Sequence, residues 1–162
     1  MEDGKTILCV YPKGHGRGAI VYKRSTDGGK TWSLSLEIDA DTGVSDIAMD
    51  PRDPDVIYAS AYQRRRHVWT LLNGGPEGGI YKTTDGGETW SLVLEIDEDT
   101  GVVDLAMDPR DPEVIYAASY QRRRHVWTLI NGGPESAVYK TRDGGATWKK
   151  IMKGLPGGDV GR

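Results

Sequence analysis

Residues 33–90 and 91–148 align without a gap, and 45 of the 58 positions are identical. Most of the differences are mild, such as Ile47 against Leu105, Asp55 against Glu113, Leu72 against Ile130 and Ile80 against Val138. A chain that repeats itself at this period builds one supersecondary unit over and over, and the copies bury their apolar faces by stacking on each other. The segment before Ser33 is a shorter, diverged copy: Gly18–Lys23 and Ser25–Trp32 match the end of the unit, while Tyr11–Arg17 replaces a much longer connection.

Within one unit, short apolar runs alternate with turn-forming residues. Val102–Met107 ends at Asp108-Pro109-Arg110-Asp111-Pro112, whose prolines lack ladder donors and do not belong inside a strand. Val114–Tyr120 is β-branched and aromatic, and so reads as a second strand. After the connection Gln121–Ser136, a third strand follows at Ala137–Lys140 and a fourth at Thr147–Ile151. Helical solenoids are the rival architecture for such a repeat. They fail because no segment has a 3.6-residue apolar period, and 22 Gly with 8 Pro would interrupt one that did. Four antiparallel strands per unit describe an all-β chain of β-propeller blades. The first unit supplies three strands and the other two supply four each, eleven strands or about 2.75 blades. The expected boundaries are 1–39 for the partial first blade, 40–97 and 98–155 for the full blades, and 156–162 for a tail at the start of a further strand. Open blade edges seek partners, so the ring is expected either to close by homo-oligomerisation, with two chains making six blades, or to be incomplete.

The third-to-fourth-strand turns are Ser25–Trp32, Thr83–Trp90 and Thr141–Trp148. In each, an Asp folds its carboxylate onto nearby backbone N–H groups, a Gly pair supplies positive φ, and a Trp starts the outgoing strand and packs inward. The structural set is Asp27, Gly29, Thr31 and Trp32, then Asp85, Gly87, Thr89 and Trp90, then Asp143, Gly145, Thr147 and Trp148. All three turns match the Asp-box, S/T-x-D-x-G-x-T-W, and the chain resembles the Asp-box (BNR-repeat) β-propeller proteins. That group includes sialidases, xyloglucanase-like glycosidases, sortilin-like receptors and photosystem assembly factors. Residues 33–162 look like the sortilin/xyloglucanase-like branch, on Asp99–Asp104, Tyr120–Arg124 and Gly132–Ser136. The first partial blade, with Tyr11–Gly18, looks more like a sialidase blade. The resemblance implies the fold; it also implies that the Asp-box is a structural device remote from the ligand face.

The opposite face, which carries the second-to-third-strand connections, holds the unusual chemistry. Gln63-Arg64-Arg65-Arg66-His67-Val68-Trp69 recurs as Gln121-Arg122-Arg123-Arg124-His125-Val126-Trp127, beside the acidic connections 39–43 and 97–101. The candidate ligand residues are Arg64, Arg65, Arg66, His67 and Trp69 with Arg122, Arg123, Arg124, His125 and Trp127. Guanidinium groups would grip carboxylate, sulfate or sugar hydroxyls while the indoles stack on a ring, which makes a carbohydrate or other anionic molecule the expected ligand. The plainer reading pairs each Arg run with the neighbouring acids and uses each Trp as a plug between blades.

Other classes are set aside. A formal charge of -3 and interleaved acids argue against nucleic acid as a partner, and no apolar stretch is long enough to span a bilayer. Met1–Lys5 lacks the pattern of a signal peptide, and the compartment is left open. Cys9 is a single cysteine in an apolar run, and His15, His67 and His125 have no ligand-spaced partner, so neither a metal nor a cofactor is expected. The acidic connections carry half of a calcium-loop pattern and lack the rest. A sialidase arginine trio is absent, and near-identical units suit repeated binding better than catalysis. The expected function is a scaffold of duplicated or designed origin that self-assembles and at most binds ligands. The alternative is a glycoside hydrolase or a sialidase-like carbohydrate-active protein, with Asp104 and Glu135 the unplaced carboxylates of an inverting glycosidase.

Overall fold

The computed structural model describes residues 7–12, 20–32 and 42–155. The first unit contributes β1 (Ile7–Pro12) and β2 (Ile20–Ser25), paired antiparallel. The second contributes β3 (Thr42–Met49), β4 (Ile57–Arg66), β5 (Leu71–Asn73), β6 (Gly79–Thr83) and β7 (Ser91–Glu95). The third contributes β8 (Gly101–Asp108), β9 (Asp111–Tyr120), β10 (Arg122–His125), β11 (Thr128–Asn131), β12 (Val138–Thr141) and β13 (Lys149–Ile151). The described residues hold no helix.

Each full unit is a four-stranded antiparallel blade, β3-β4-β6-β7 and β8-β9-β12-β13. Ten of the eleven expected blade strands are present; the fourth strand of the first unit falls in 33–41, outside the described residues. Three more, β5, β10 and β11, occupy the long connections that were expected to be loops. The turn cluster before β9 also differs slightly. β9 begins at Asp111, so Pro112 lies in the opening turn of the strand, where Asp108 pairs with Asp111 and no interior ladder bond is lost.

Burial explains the strand assignments. Ile57, Tyr58, Ala59, Ser60 and Ala61 of β4 are all essentially inaccessible, as a strand covered on both faces must be. Alternation then divides them. Ile57 and Ala59 join Val44, with Ile47, Met49 and Trp90 packed around them. Tyr58 turns the other way, into the larger core shared with the third blade, where Ile80 and Leu94 meet Val102, Leu105, Ile115, Ala117, Ala137 and Tyr139. The main core is therefore an interface between repeats, and neither blade encloses it alone.

Candidate functional site

The three turns between third and fourth strands are closed by the same bonds. Thr31 donates its backbone N–H to Asp27 Oδ1 at 2.8 Å and its hydroxyl to Oδ2 at 2.5 Å. Thr89 does the same to Asp85, and Thr147 to Asp143. Ser25, Thr83 and Thr141 donate a hydroxyl to the same Asp and accept the N–H of Gly29, Gly87 and Gly145. The Gly pairs lie at positive φ, for example 72° and 100° at Gly86 and Gly87, where a side chain would be strained. These donors hold the carboxyls of Asp27 and Asp143 down to about 2, the Thr31 and Thr147 hydroxyls contributing most, and hold Asp85 lower still through Thr83. Carboxylates so occupied with their own turn have little capacity left for a substrate. Trp90 and Trp148 pack against the two core clusters, and the indole N–H groups of Trp32 and Trp90 reach the Gly29 and Gly87 carbonyls at 3.1 Å.

On the opposite face the arginine runs are strands. β4 runs on past its blade through Arg64–Arg66, turns at Val68-Trp69 and returns as β5, with Arg64 opposite Asn73 and Arg66 opposite Leu71. His67 and Thr70 close the turn by backbone bonds in both directions. β10 and β11 repeat the hairpin, with Arg122 opposite Asn131 and Arg124 opposite Leu129. The hairpins also pair with each other, β5 to β10, giving a second sheet in the order β11-β10-β5-β4. Residues directly opposite in adjacent strands share a face, and so do residues two apart on one strand. Arg64, Arg66, Arg122 and Arg124 therefore occupy one face, while positions 65, 72, 123 and 130 occupy the other.

Each hairpin rests on a buried glutamine. Gln63 and Gln121 sit below the runs and press against Gly75 and Gly133, where any Cβ would overlap the amide. Arg123 forms an ion pair with Asp99 of the acidic connection, so the expected pairing of arginines with neighbouring acids occurs there. Asp97 and Arg123 line a groove with Leu129, Ile130, Asn131 and Pro134. Arg64, Arg66 and Arg124 are exposed, as are His67 and His125. Trp69 and Trp127 stand at the hairpin tips, 72% and 94% exposed, and do not fill the space between blades. A strand pair ending in a two-residue turn points its tip residues away from the blades, which is why the plug cannot form.

Asp104 and Glu135 are placed apart in their chemistry. Glu135 accepts the Tyr139 hydroxyl at 2.8 Å and the Lys150 ammonium at 3.0 Å, and these two donors, Tyr139 foremost, lower its pKa. Asp104 meets Asp46, its counterpart one repeat earlier; this hydrogen bond, with burial second, raises the Asp104 pKa. Asp46 also accepts the Leu105 N–H at 2.9 Å. The Asp46–Asp104 pair was not singled out from the sequence, although the repeat period already set the two at equivalent positions of adjoining strands. No group of three or more His, Cys, Asp or Glu among the described residues is placed to hold a metal ion.

Comparison with known proteins agrees with this architecture. The family model Sortilin-Vps10, described as sortilin, neurotensin receptor 3, matches residues 21–157, and the chain belongs to that family. Its fold is similar to that of an ancestral GH74 enzyme, with a TM-score of 0.55 at 18% identity over 91% of this chain. This chain spans 18% of that enzyme's length. A GH74 enzyme of Niastella koreensis aligns with a TM-score of 0.49 at 16% identity, covering 91% of this chain and 27% of the enzyme. No curated protein sequence matches the chain.

Proposed function

We propose that this member of the sortilin family is a propeller-blade scaffold whose hairpin sheet binds anionic carbohydrate. The observation that carries the reading is the single face shared by Arg64, Arg66, Arg122 and Arg124, flanked by two exposed indoles. Residues two apart on a strand are about 7 Å apart, and β4 and β10 are about 10 Å apart with β5 between them. Guanidinium groups at that spacing suit a ligand with several acidic groups, and Trp69 and Trp127 supply ring faces at the rim. No bond-breaking group is required of such a site.

A sulfated oligosaccharide tested by calorimetry, alongside its desulfated form, examines the reading. The sulfated form is expected to bind with an affinity that falls as salt rises, and Arg64→Gln with Arg66→Gln to weaken it about tenfold or more. Trp69→Ala and Trp127→Ala are each expected to weaken it further. Binding that ignores both tryptophans would remove the stacking role, and binding that ignores the arginines would remove the proposal. The glycosidase alternative rests on likeness of fold, and fold does not carry activity.

A further inference from the structure

The pairing of β5 with β10 is a rule for how one hairpin receives the next. β5 offers Leu71-Leu72-Asn73 and accepts Arg122-Arg123-Arg124, in the register Leu71 to Arg124, Leu72 to Arg123 and Asn73 to Arg122. One repeat on, β11 offers Leu129-Ile130-Asn131, almost the same edge, and no strand among the described residues accepts it. One repeat back, Arg64-Arg65-Arg66 is the same donor strand as Arg122-Arg123-Arg124, and its outer edge is likewise unpaired among the described residues. Among the described residues the sheet thus has two edges that match each other.

The backbone is set for such a contact. The Gly132 N–H bonds to the Gln121 carbonyl at 2.9 Å, which makes that pair a hydrogen-bonded one. Alternation then bonds Arg123 with Ile130 inside the hairpin and turns the N–H and C=O of Leu129 and Asn131 outward. Leu129 and Ile130 are 57% and 38% exposed, an apolar edge without the charge or proline that usually blunts one.

We infer that β11 is a docking edge for the Arg64–Arg66 strand of a second copy of this chain. Transferring the internal register places Arg66 of the second copy opposite Leu129, Arg65 opposite Ile130 and Arg64 opposite Asn131. Donor and acceptor are different surfaces, so the contact is head to tail. It does not depend on the carbohydrate reading.

Two measurements test it. In light scattering, the wild-type chain is expected to be larger than a monomer, and Leu129→Pro is expected to return it to a monomer with an unchanged circular dichroism spectrum. The proline removes one outward N–H and leaves the bonds of the hairpin intact. In the second, Arg65→Cys combined with Ile130→Cys is oxidised and the disulfide located by peptide mass. Within one chain, β4 and β11 are three strand spacings apart, about 14 Å, too far for a disulfide. A bond between 65 and 130 therefore joins two copies, and Leu129→Pro should abolish it. A monomeric wild-type chain would overturn the inference, as would an oligomer without the 65–130 bond. The latter is the result expected if a six-bladed ring formed by seating the first unit of one copy against the third of the other.

Discussion

Tyr58 donates its hydroxyl to the Gly144 carbonyl of the next blade at 2.8 Å, and Lys82 donates its ammonium to the same oxygen at 2.8 Å. Tyr116 is the same residue one repeat later, and it is 37% exposed where Tyr58 is 2% exposed. Lys140, the copy of Lys82, turns to the Tyr116 hydroxyl at 2.6 Å instead. Identical residues thus differ by whether a blade covers them.

Tyr58→Ala is expected to destabilise by about 3–5 kcal/mol, as for a large aromatic removed from a core, and Tyr58→Phe by about 1 kcal/mol. The same changes at Tyr116 should cost clearly less, about 1 kcal/mol or under for Tyr116→Ala. Urea unfolding of the four variants checks this, and equal costs at the two positions would contradict the packing.

The turn carboxylates predict acid sensitivity. Asp143 has its pKa lowered from 3.8 to about 2. A carboxyl with a depressed folded pKa stabilises fully above its unfolded value, and that contribution is lost as pH falls through the folded one. Asp27 behaves alike, so stability should fall between about pH 4 and pH 2. Thr147→Val removes the strongest donor and is expected to raise the Asp143 pKa toward 3.8, as carboxyl chemical shifts in a pH titration would reveal.

The Asp46–Asp104 pair works in the opposite direction. Asp104 has a raised folded pKa, so its contribution is favourable at low pH and is lost as pH rises through that value. Asp46→Asn keeps an oxygen for the Leu105 N–H and removes the second negative charge. The variant should gain stability at pH 7 relative to pH 4 when compared with wild type. A wild-type-like dependence of the melting temperature on pH would show that Asp46 does not raise the Asp104 pKa.

Gly75 tests the base of the first hairpin. A Cβ there would overlap the side chain of Gln63, which is fully buried. Gly75→Ala is expected to cost about 1–3 kcal/mol through overpacking, with Gly133→Ala against Gln121 costing a similar amount. Thermal unfolding of the two variants measures it.

Much of the blade was legible in the residues. The Asp, Gly pair, Thr and Trp of each turn act within a few positions of one another, so local chemistry is enough to read them. The second sheet was not legible for a related reason. Its hairpins turn at Val68-Trp69 and Val126-Trp127, and among the described residues no non-Gly residue has positive φ. The usual Asn-Gly or Asp-Gly mark of a two-residue hairpin is therefore absent. Gln63 and Gln121 gave no sign of burial either, since a glutamine is ordinarily exposed and only the facing glycines make room for it.

The repeat by itself determined that the chain is all-β, that its units have four blade strands, and that equivalent positions recur every 58 residues. It could not determine which copy of a position is covered. Only the tertiary structure decided that Tyr58 is buried and Tyr116 is not, that Arg123 pairs with Asp99 while Arg64 and Arg66 face outward, and that the two arginine hairpins pair with each other. The physical reason is that burial, ion pairing and strand pairing depend on what stands beside a residue, and two nearly identical repeats within one chain have different neighbours.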